Sequence, residues 1–209
     1  GLVYLFLYLP IAVLVALSFN DSRYAIVWRG FTTQWYEQLL AGNTISRVNP
    51  EVAFVALQNS ILIAVVTVVV SVVFGTMLAM ALDRYVFPGK SLFAGIVYMP
   101  LIIPSIVMGI SLLLFFNFIG LDQGLGTAII GHIAFDISYV TVIVLARLQS
   151  FDETLEEAAK DLGAAELETF RYVTLPAIKP GIIAGALLGF AMSFDDFVVT
   201  FFIIGNENT

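Results

Sequence analysis

Five long runs of apolar residues constrain this chain more than any other feature of its sequence. A helix rises about 1.5 Å per residue, so roughly 20 apolar residues cross a hydrocarbon core about 30 Å thick. With 60% hydrophobic and 12% charged residues among 209, the chain has more apolar surface than one soluble core of this length can bury. We therefore predict an all-α integral membrane protein. The predicted spans are, approximately, Leu2–Phe19, Leu57–Leu82, Leu92–Ile119, Thr127–Leu148 and Gly181–Ile204.

The charged residues lie mainly between these runs and predict the orientation of the chain. Seven of the sixteen acids fall within residues 152–168, so the formal net charge of -7 is concentrated in one loop. Lysine and arginine are dense in loops 83–91 and 149–180, and sparse in loop 20–56 and around Asp122. Because loops rich in Lys and Arg stay on the cytoplasmic side, we predict that loops 83–91 and 149–180 are cytoplasmic. Loop 20–56 and the loop around Asp122 are predicted to face outside.

Residue usage excludes several classes of chemistry. The chain has no cysteine, which excludes disulfides, thiolate catalysis and Cys-ligated metals. Its single histidine, His132, leaves most histidine metal sites unbuildable, and no phosphate-binding G-x-x-x-x-G-K-[ST] sequence occurs. We therefore expect no metal and no cofactor, and we expect His132 near the outer interface without a ligand role.

Two patterns that shape helices lie inside the predicted spans. Gly181, Gly185 and Gly189 recur at the four-residue spacing that lets helix backbones approach closely, which predicts helix packing. Pro100 and Pro104 interrupt the third span, because each removes a helix hydrogen bond and clashes with the preceding turn. A broken helix here would line a cavity and a substrate pathway. A proline kink that only shapes packing is the alternative.

Loop 150–180 contains a predicted pair of short helices. Four apolar residues follow the i, i+3, i+4, i+7 spacing of an amphipathic helix, namely Leu155, Ala158, Ala159 and Leu162. Gly163 is expected to end this helix in a left-handed turn, and a second helix over residues 166–172 is expected to stop before Pro176. The seven acids of this loop would be repelled by an anionic leaflet. We therefore expect a protein groove, and not lipid, to cover the apolar side of the two short helices.

The same loop carries a longer motif. Glu157-Ala158-Ala159 is followed by Gly163 and, after nine residues, by Val173-Thr174-Leu175-Pro176. This pattern resembles the EAA loop of bacterial ABC importer permeases, and only Val173 in place of isoleucine departs from it. The resemblance implies a coupling helix that sits in a groove of a cytoplasmic ATPase. The implied coupling residues are Glu157, Ala158, Ala159, Gly163, Leu175 and Pro176.

Nearly all of the chain is similar to spermidine/putrescine permeases. The similar stretches include Ser18–Asn20, Trp28–Tyr36, Asn59–Ser60, Pro104–Leu113 and Ser193–Val199. The resemblance implies a type I ABC importer permease fold with six spans. Residues 1–209 would then form a single transmembrane domain with five of those spans, trimmed at both ends, and residues 150–180 would be its cytoplasmic coupling loop.

The same resemblance implies a multi-pass protein of the bacterial inner membrane that has no enzymatic activity of its own. Its implied partners are an ATPase dimer that binds the ATP, a second permease subunit and an extracytoplasmic substrate-binding protein. Polyamines are the expected substrate. Another small solute, such as ferric iron, phosphonate or sulfate, is the alternative, and a secondary transporter independent of ATP is a further one.

Acidic residues inside the spans are the candidate substrate ligands. An unpaired carboxylate costs several kcal/mol in hydrocarbon, so Asp195 and Asp196 are expected to face the bundle interior. We assign Asp195 to the substrate pathway and Asp196 to structural support; the reverse, or a purely structural pair, is the alternative. Ser105 stands where related permeases often carry an acid. Asp136 would supply the missing charge, pair with a neighbouring helix, or be protonated and hydrogen-bonded.

An enzymatic alternative uses Asp136 and Asp196 as an intramembrane aspartyl hydrolase. Such chemistry needs two carboxylates close enough to share a proton. The G-x-G-D sequence of these proteases is absent, and the EAA loop would be left unexplained, so we disfavour this alternative.

Overall fold

Helices make up nearly all the regular structure in the part of the chain that the computed structural model describes, residues 2–22, 27–42, 49–207 and 209. In chain order they are α1 (Leu2–Leu17), α2 (Gln34–Leu40), α3 (Pro50–Arg84), α4 (Lys90–Ile102), α5 (Ser105–Phe118), α6 (Leu125–Gln149), α7 (Thr154–Asp161), α8 (Glu166–Thr169), α9 (Leu175–Asp195) and α10 (Val198–Ile203), with a π-helical turn over Phe170–Thr174. The predicted all-α fold is confirmed. Residues 23–26 and 43–48 of the predicted outer loop lie outside the described residues.

The five predicted spans correspond to helices of different lengths. Three helical stretches are long and apolar enough to cross a membrane: α3, α6 and the continuous helix Glu166–Asp195. The third predicted span is a fourth candidate, in which α4 and α5 bend by 111° at a short break. Helix α1 is shorter, with 16 residues. The predicted broken helix is therefore confirmed at Pro104, whereas Pro100 was wrongly predicted to interrupt the span, because it lies inside α4.

The chain divides into two compact units, Gly1–Ala56 and Leu57–Thr209. In the first unit, the buried Asn20 organises the segment after α1. Its side-chain amide donates to the Val27 carbonyl (2.8 Å), and its Oδ1 accepts the Arg29 N–H (2.8 Å). Its backbone carbonyl accepts the indole N–H of Trp35 (2.9 Å). One residue thus binds both the segment at Val27–Arg29 and the start of α2. The single transmembrane domain over 1–209 stays a prediction.

Helix α6 lies at the centre of the second unit, and glycines on its neighbours allow close packing. Gly75 of α3 and Gly185 of α9 both lie against Val140 of α6. Gly181 lies against Arg147, where an added Cβ atom would stand 2.8 Å from the Arg147 Cβ. All three glycines of the predicted repeat on α9 are buried, so their role in helix packing is confirmed.

The segment around α7 agrees with the sequence prediction only in its first half. Helix α7 and the left-handed turn at Gly163 (φ 89°) are confirmed. The second helix was wrongly predicted to stop before Pro176, because α8, the π-helical turn and α9 form one continuous helix, Glu166–Asp195. Pro176 lies in the first turn of α9, and the wider turn before it accommodates the missing N–H without ending the helix.

The fifth predicted span, 181–204, has the wrong limits. Helix α9 begins at Leu175 and ends at Asp195, and Asp196 has an extended backbone (φ -74°, ψ 104°) before α10 begins at Val198. The apolar run continues across this break to Ile204, and apolarity alone does not distinguish one helix from two.

Replacing Gly75 by alanine should destabilise the protein, whereas Gly95→Ala should not. A Cβ at Gly75 would stand 2.8 Å from the Val140 Cβ and 3.1 Å from the Ile137 carbonyl oxygen, while a Cβ at Gly95 would meet nothing within 4 Å. We expect Gly75→Ala to cost about 1–3 kcal/mol by overpacking. Gly95→Ala should be neutral or stabilising, because alanine favours helix. Thermal unfolding in detergent measures both, and equal midpoints for the two variants would contradict this packing.

Candidate functional site

Two helix breaks face one cavity in the second unit. The cavity has a volume of about 340 Å³ and lies beside the α4–α5 break and the end of α9. Ser105 lines it from the first break, and Phe135 and Tyr139 line it from α6. Asp195 and Asp196 line it from the second break. The cavity therefore combines two aromatic rings, a hydroxyl group and two carboxylates.

Each break contains extended backbone. Ile103 (φ -72°, ψ 129°) and Pro104 (φ -58°, ψ 136°) separate α4 from α5, as expected where a proline disfavours helix at the residue before it. Asp196 and Phe197 separate α9 from α10. Irregular backbone at membrane depth is tolerated where it lines a cavity, because groups that lose their helical partners can bind water there.

The two adjacent aspartates have different surroundings. Asp195 is exposed and lines both this cavity and a second one of about 320 Å³. Asp196 is half-buried, and its Oδ2 accepts the backbone N–H of Thr200 at 3.0 Å. The Thr200 hydroxyl also donates to the Asp196 carbonyl at 2.8 Å. The Asp195 carboxylate is therefore accessible to a ligand, whereas Asp196 holds the start of α10.

A buried histidine fastens this second break to α6. The ring nitrogens of His132 lie 2.7 Å from Ser193 Oγ and 2.8 Å from Thr200 Oγ1, and Nε2 lies 3.6 Å from Asp196 Oδ2. The residue is 1% exposed. His132 was expected near the outer interface without a ligand role, and this fastening role was missed. The available signal was the pair of hydroxyl residues, Ser193 and Thr200, that flank the two aspartates.

Asp136 is buried behind the lining of these cavities. It is fully buried on α6, and neither of its carboxylate oxygens has a hydrogen-bond partner among the described residues. Gly189 of α9 leaves room for it, since a Cβ there would stand 3.4 Å from Asp136 Oδ2. Asp136 is not among the residues that line the two cavities described above. Its assignment to the substrate pathway stays a prediction.

The EAA residues lie mostly on the exposed side of α7. Glu157 and Ala158 are exposed, and Ala159 is half-buried. Leu155 is 53% exposed and Leu162 is 90% exposed. Exposed apolar side chains that share one face of a helix often mark a site of interaction with another protein or with the membrane. We call these residues, Leu155, Glu157, Ala158, Ala159 and Leu162, the α7 surface.

The other two motif residues lie at the start of α9. Leu175 is half-buried and Pro176 is exposed. They directly follow the π-helical turn, whose last residue, Thr174, donates its hydroxyl to Glu156 of α7. The structure thus joins both parts of the motif through a side-chain contact.

Asp152 accepts two hydrogen bonds from Thr154, the first residue of α7. Its Oδ1 accepts the hydroxyl of Thr154 at 2.7 Å and the backbone N–H of the same residue at 3.0 Å. These two hydrogen bonds favour the charged carboxylate and so lower the pKa of Asp152 from its usual value.

The apolar helices, the two breaks and the exposed amphipathic helix together define a multi-pass helical membrane protein with an internal cavity. The chain belongs to the family of binding-protein-dependent transport system inner membrane components, whose model matches residues 71–208. This match also confirms the predicted location in the inner membrane.

Individual relatives support the same assignment. The chain is 39% identical over 203 residues to the spermidine/putrescine transport system permease protein PotC of Escherichia coli strain K12. This alignment covers 97% of this chain and 74% of PotC. It is also 39% identical over 207 residues to the putrescine transport system permease protein PotI of the same strain. That alignment covers 96% of this chain and 71% of PotI. The predicted resemblance to this group of permeases is confirmed.

One solved structure supports the fold. It is the crystal structure of a bacterial ABC transporter involved in the import of the acidic polysaccharide alginate, and it superposes with a TM-score of 0.71 at 20% identity. The superposition covers 100% of this chain and 72% of that chain. At this level of identity the likeness concerns the fold alone, and it confirms the predicted ABC importer permease fold.

The adjacent aspartates should respond differently to truncation. Asp196→Ala removes the acceptor of the Thr200 N–H, so we expect it to lower stability by about 1–2 kcal/mol. Asp195→Ala removes an exposed side chain, and we expect a change within about 0.5 kcal/mol. Thermal unfolding in detergent compares these matched variants, and a larger loss for Asp195→Ala would contradict the assignment of Asp196 to structural support.

Proposed function

We propose that this chain is a transmembrane permease subunit of an ATP-driven ABC importer for polyamines. The family assignment and the 39% identity to spermidine/putrescine and putrescine permeases support the class and the substrate. The observation that carries the mechanism is the single continuous helix from Glu166 to Asp195. It connects the neighbourhood of α7 with the carboxylate that lines the cavity.

The α7 surface is the docking site for an ATPase in this proposal. Its exposed leucines enter a groove of the partner, and Glu157 meets a polar group at the edge of that groove. Gly163, at φ 89°, sets the turn between α7 and α8, where a side chain on an L-residue would be strained. Leu175 and Pro176 begin the α9 part of the continuous helix, which carries displacement of α7 and α8 towards the cavity.

Polyamine recognition follows from the composition of the cavity. A polyamine is a chain of ammonium groups joined by short apolar segments. The exposed Asp195 carboxylate attracts an ammonium group, and the rings of Phe135 and Tyr139 offer apolar and cation–π contacts to the rest of the molecule. Ser105 contributes a hydroxyl as a neutral hydrogen-bond partner.

The remaining parts of the importer are supplied by other chains. The proposal assigns ATP binding and hydrolysis to a cytoplasmic ATPase dimer, so this subunit needs no cofactor. A second permease subunit completes the pathway, and an extracytoplasmic binding protein delivers the substrate. Loops 83–91 and 149–180 face the ATPases, in agreement with their lysine and arginine content.

A second candidate function keeps the importer but changes the substrate to another small solute. Ser105 favours it, because the first break contributes a hydroxyl to the cavity where an acid was expected. Competition distinguishes the two candidates. Excess spermidine and putrescine should inhibit uptake if the substrate is a polyamine, whereas inhibition by sulfate or phosphonate alone would favour the alternative.

Glu157→Lys should abolish most ATP-driven uptake while the protein still inserts into the membrane. The substitution places the wrong charge at the edge of the α7 surface, and we expect uptake by the assembled importer to fall by about tenfold or more. Asp122→Lys, an identical change in charge in an exposed loop on the predicted outer side, is the matched control. Uptake and membrane content are measured in the same vesicles. Undiminished uptake by Glu157→Lys would refute the docking proposal.

Asp195→Asn should weaken polyamine recognition without unfolding the protein. It replaces a charge that pairs with ammonium by a neutral amide of the same shape, so we expect the apparent KM for spermidine to rise by about tenfold or more. Asp122→Asn is the control. Initial uptake rates over a range of spermidine concentrations give the result, and an unchanged KM for Asp195→Asn would remove it from the substrate pathway.

A further inference from the structure

Arg84, the last residue of α3, makes ion pairs with the beginning of α7. Its Nη1 lies 2.8 Å from Glu153 Oε1, and its Nη2 lies 3.0 Å from Glu156 Oε1. Its Nε lies 3.3 Å from Asp83 Oδ2. All three nitrogens of one guanidinium group therefore contact carboxylates, and two of these carboxylates belong to the segment that begins α7.

Glu156 is the centre of this arrangement. The oxygen that pairs with Arg84 also accepts the hydroxyl of Thr174, at the end of the π-helical turn. Thr174 is buried, and the side chain of Glu156 is only 15% exposed. The end of α3, the first turn of α7 and the start of α9 therefore meet at one carboxylate, whereas the neighbouring Glu157 points to the exposed side.

The Arg84–Glu156 contact is better protected from water than an ordinary surface ion pair, whereas the side chain of Glu153 is 66% exposed. The side chain of Arg84 is 20% exposed, so part of its charge is removed from water and depends on its partners. Hydrogen bonds between a guanidinium and carboxylates are among the stronger ones in proteins, and a network restrains its members more than an isolated pair does. Removing Arg84 leaves the carboxylate of Glu156 partly buried without a cation, which is costly.

The arrangement also has a mechanical consequence. Helix α7 is covalently linked to α6 on one side and to α8 on the other, but it has no direct chain connection to α3. Among the ion pairs of the described residues, those of Arg84 are the ones that attach α7 to α3. The direct connection between α7 and the end of α3 is therefore made by side chains.

We propose that Arg84, Glu156 and Thr174 form a clamp that makes α3 and α9 move together when the α7 surface is displaced by its partner. The three residues position the membrane helices and do not contact substrate. This inference rests on the proposed function, because it assumes that α7 docks on an ATPase. It extends that function, because displacement of α7 would reach the membrane helices through the side chains that contact α3 as well as through the continuous helix.

The test measures ATP hydrolysis and uptake together in the complete reconstituted importer. Arg84→Gln and Glu156→Gln should leave ATP hydrolysis within about twofold of wild type but lower uptake per ATP by about fivefold or more, because the ATPases still dock while α3 no longer follows. Lys90→Gln neutralises the other cation of loop 83–91 and should change neither quantity.

Thr174→Val separates a clamp from a merely structural role. It removes only the hydroxyl that binds Glu156 and keeps the shape of the side chain, so the importer should assemble normally while uptake per ATP falls by about threefold or more. If Arg84→Gln or Glu156→Gln fails to assemble, this variant decides the matter. Normal assembly with lowered uptake per ATP supports the clamp, and unchanged uptake per ATP overturns it.

The outcome is distinguishable from failure of the docking proposal. Loss of uptake in Glu157→Lys together with unchanged uptake per ATP in Arg84→Gln would overturn the clamp and leave docking intact. Undiminished uptake in Glu157→Lys would refute docking itself, and the clamp with it.

Discussion

The backbone groups of a chain in hydrocarbon must find their hydrogen-bond partners within the protein, and the rest of this structure depends on that requirement. It explains why residues 166–195 form one uninterrupted helix despite two prolines within α9. It also explains where helices stop. The breaks at Ile103–Pro104 and at Asp196 both border the same cavity, where water and side chains can replace the lost helical partners.

The same solvent also determines how the helices are held together. Lipid is as apolar as a leucine side chain, so helices gain little from hydrophobic contact and depend on close approach and on polar contacts. Gly75 allows α3, and Gly185 allows α9, to approach α6 closely at Val140. The polar contacts are concentrated where helices end: His132 fastens the α9–α10 break, and Arg84 joins α3 to α7.

Features encoded by neighbouring residues could be predicted from the sequence. Apolar runs predicted the helices, Gly163 predicted a left-handed turn, and Pro104 predicted a break. Pro176 was misjudged because a proline ends a helix in most settings but is tolerated in a first turn, and here a π-helical turn precedes it. The 111° bend between α4 and α5 was not predictable, since the angle depends on what the two helices pack against.

The residues of the site also divide into those that could be predicted from the sequence and those that could not. Asp195 and Asp196 are adjacent and chemically identical, and their environments differ through burial and through contacts of Asp196 with Thr200 and His132. Partners far apart in sequence were missed altogether: Arg84 and Glu156 are separated by 72 positions, and His132 and Thr200 by 68. Periodicity identifies the face on which a residue lies but not the helix that faces it.

The π-helical turn at Phe170–Thr174 determines an angle as well as a path. An α-helix advances by about 100° per residue, so the wider turn, which holds one residue more, rotates everything after it by about that amount relative to everything before it. The azimuth of Asp195 around the helix axis, measured from α8, is therefore fixed by five residues roughly 20 positions away from it. Shortening that turn by one residue would preserve a continuous helix but turn the carboxylate to a different side of the bundle.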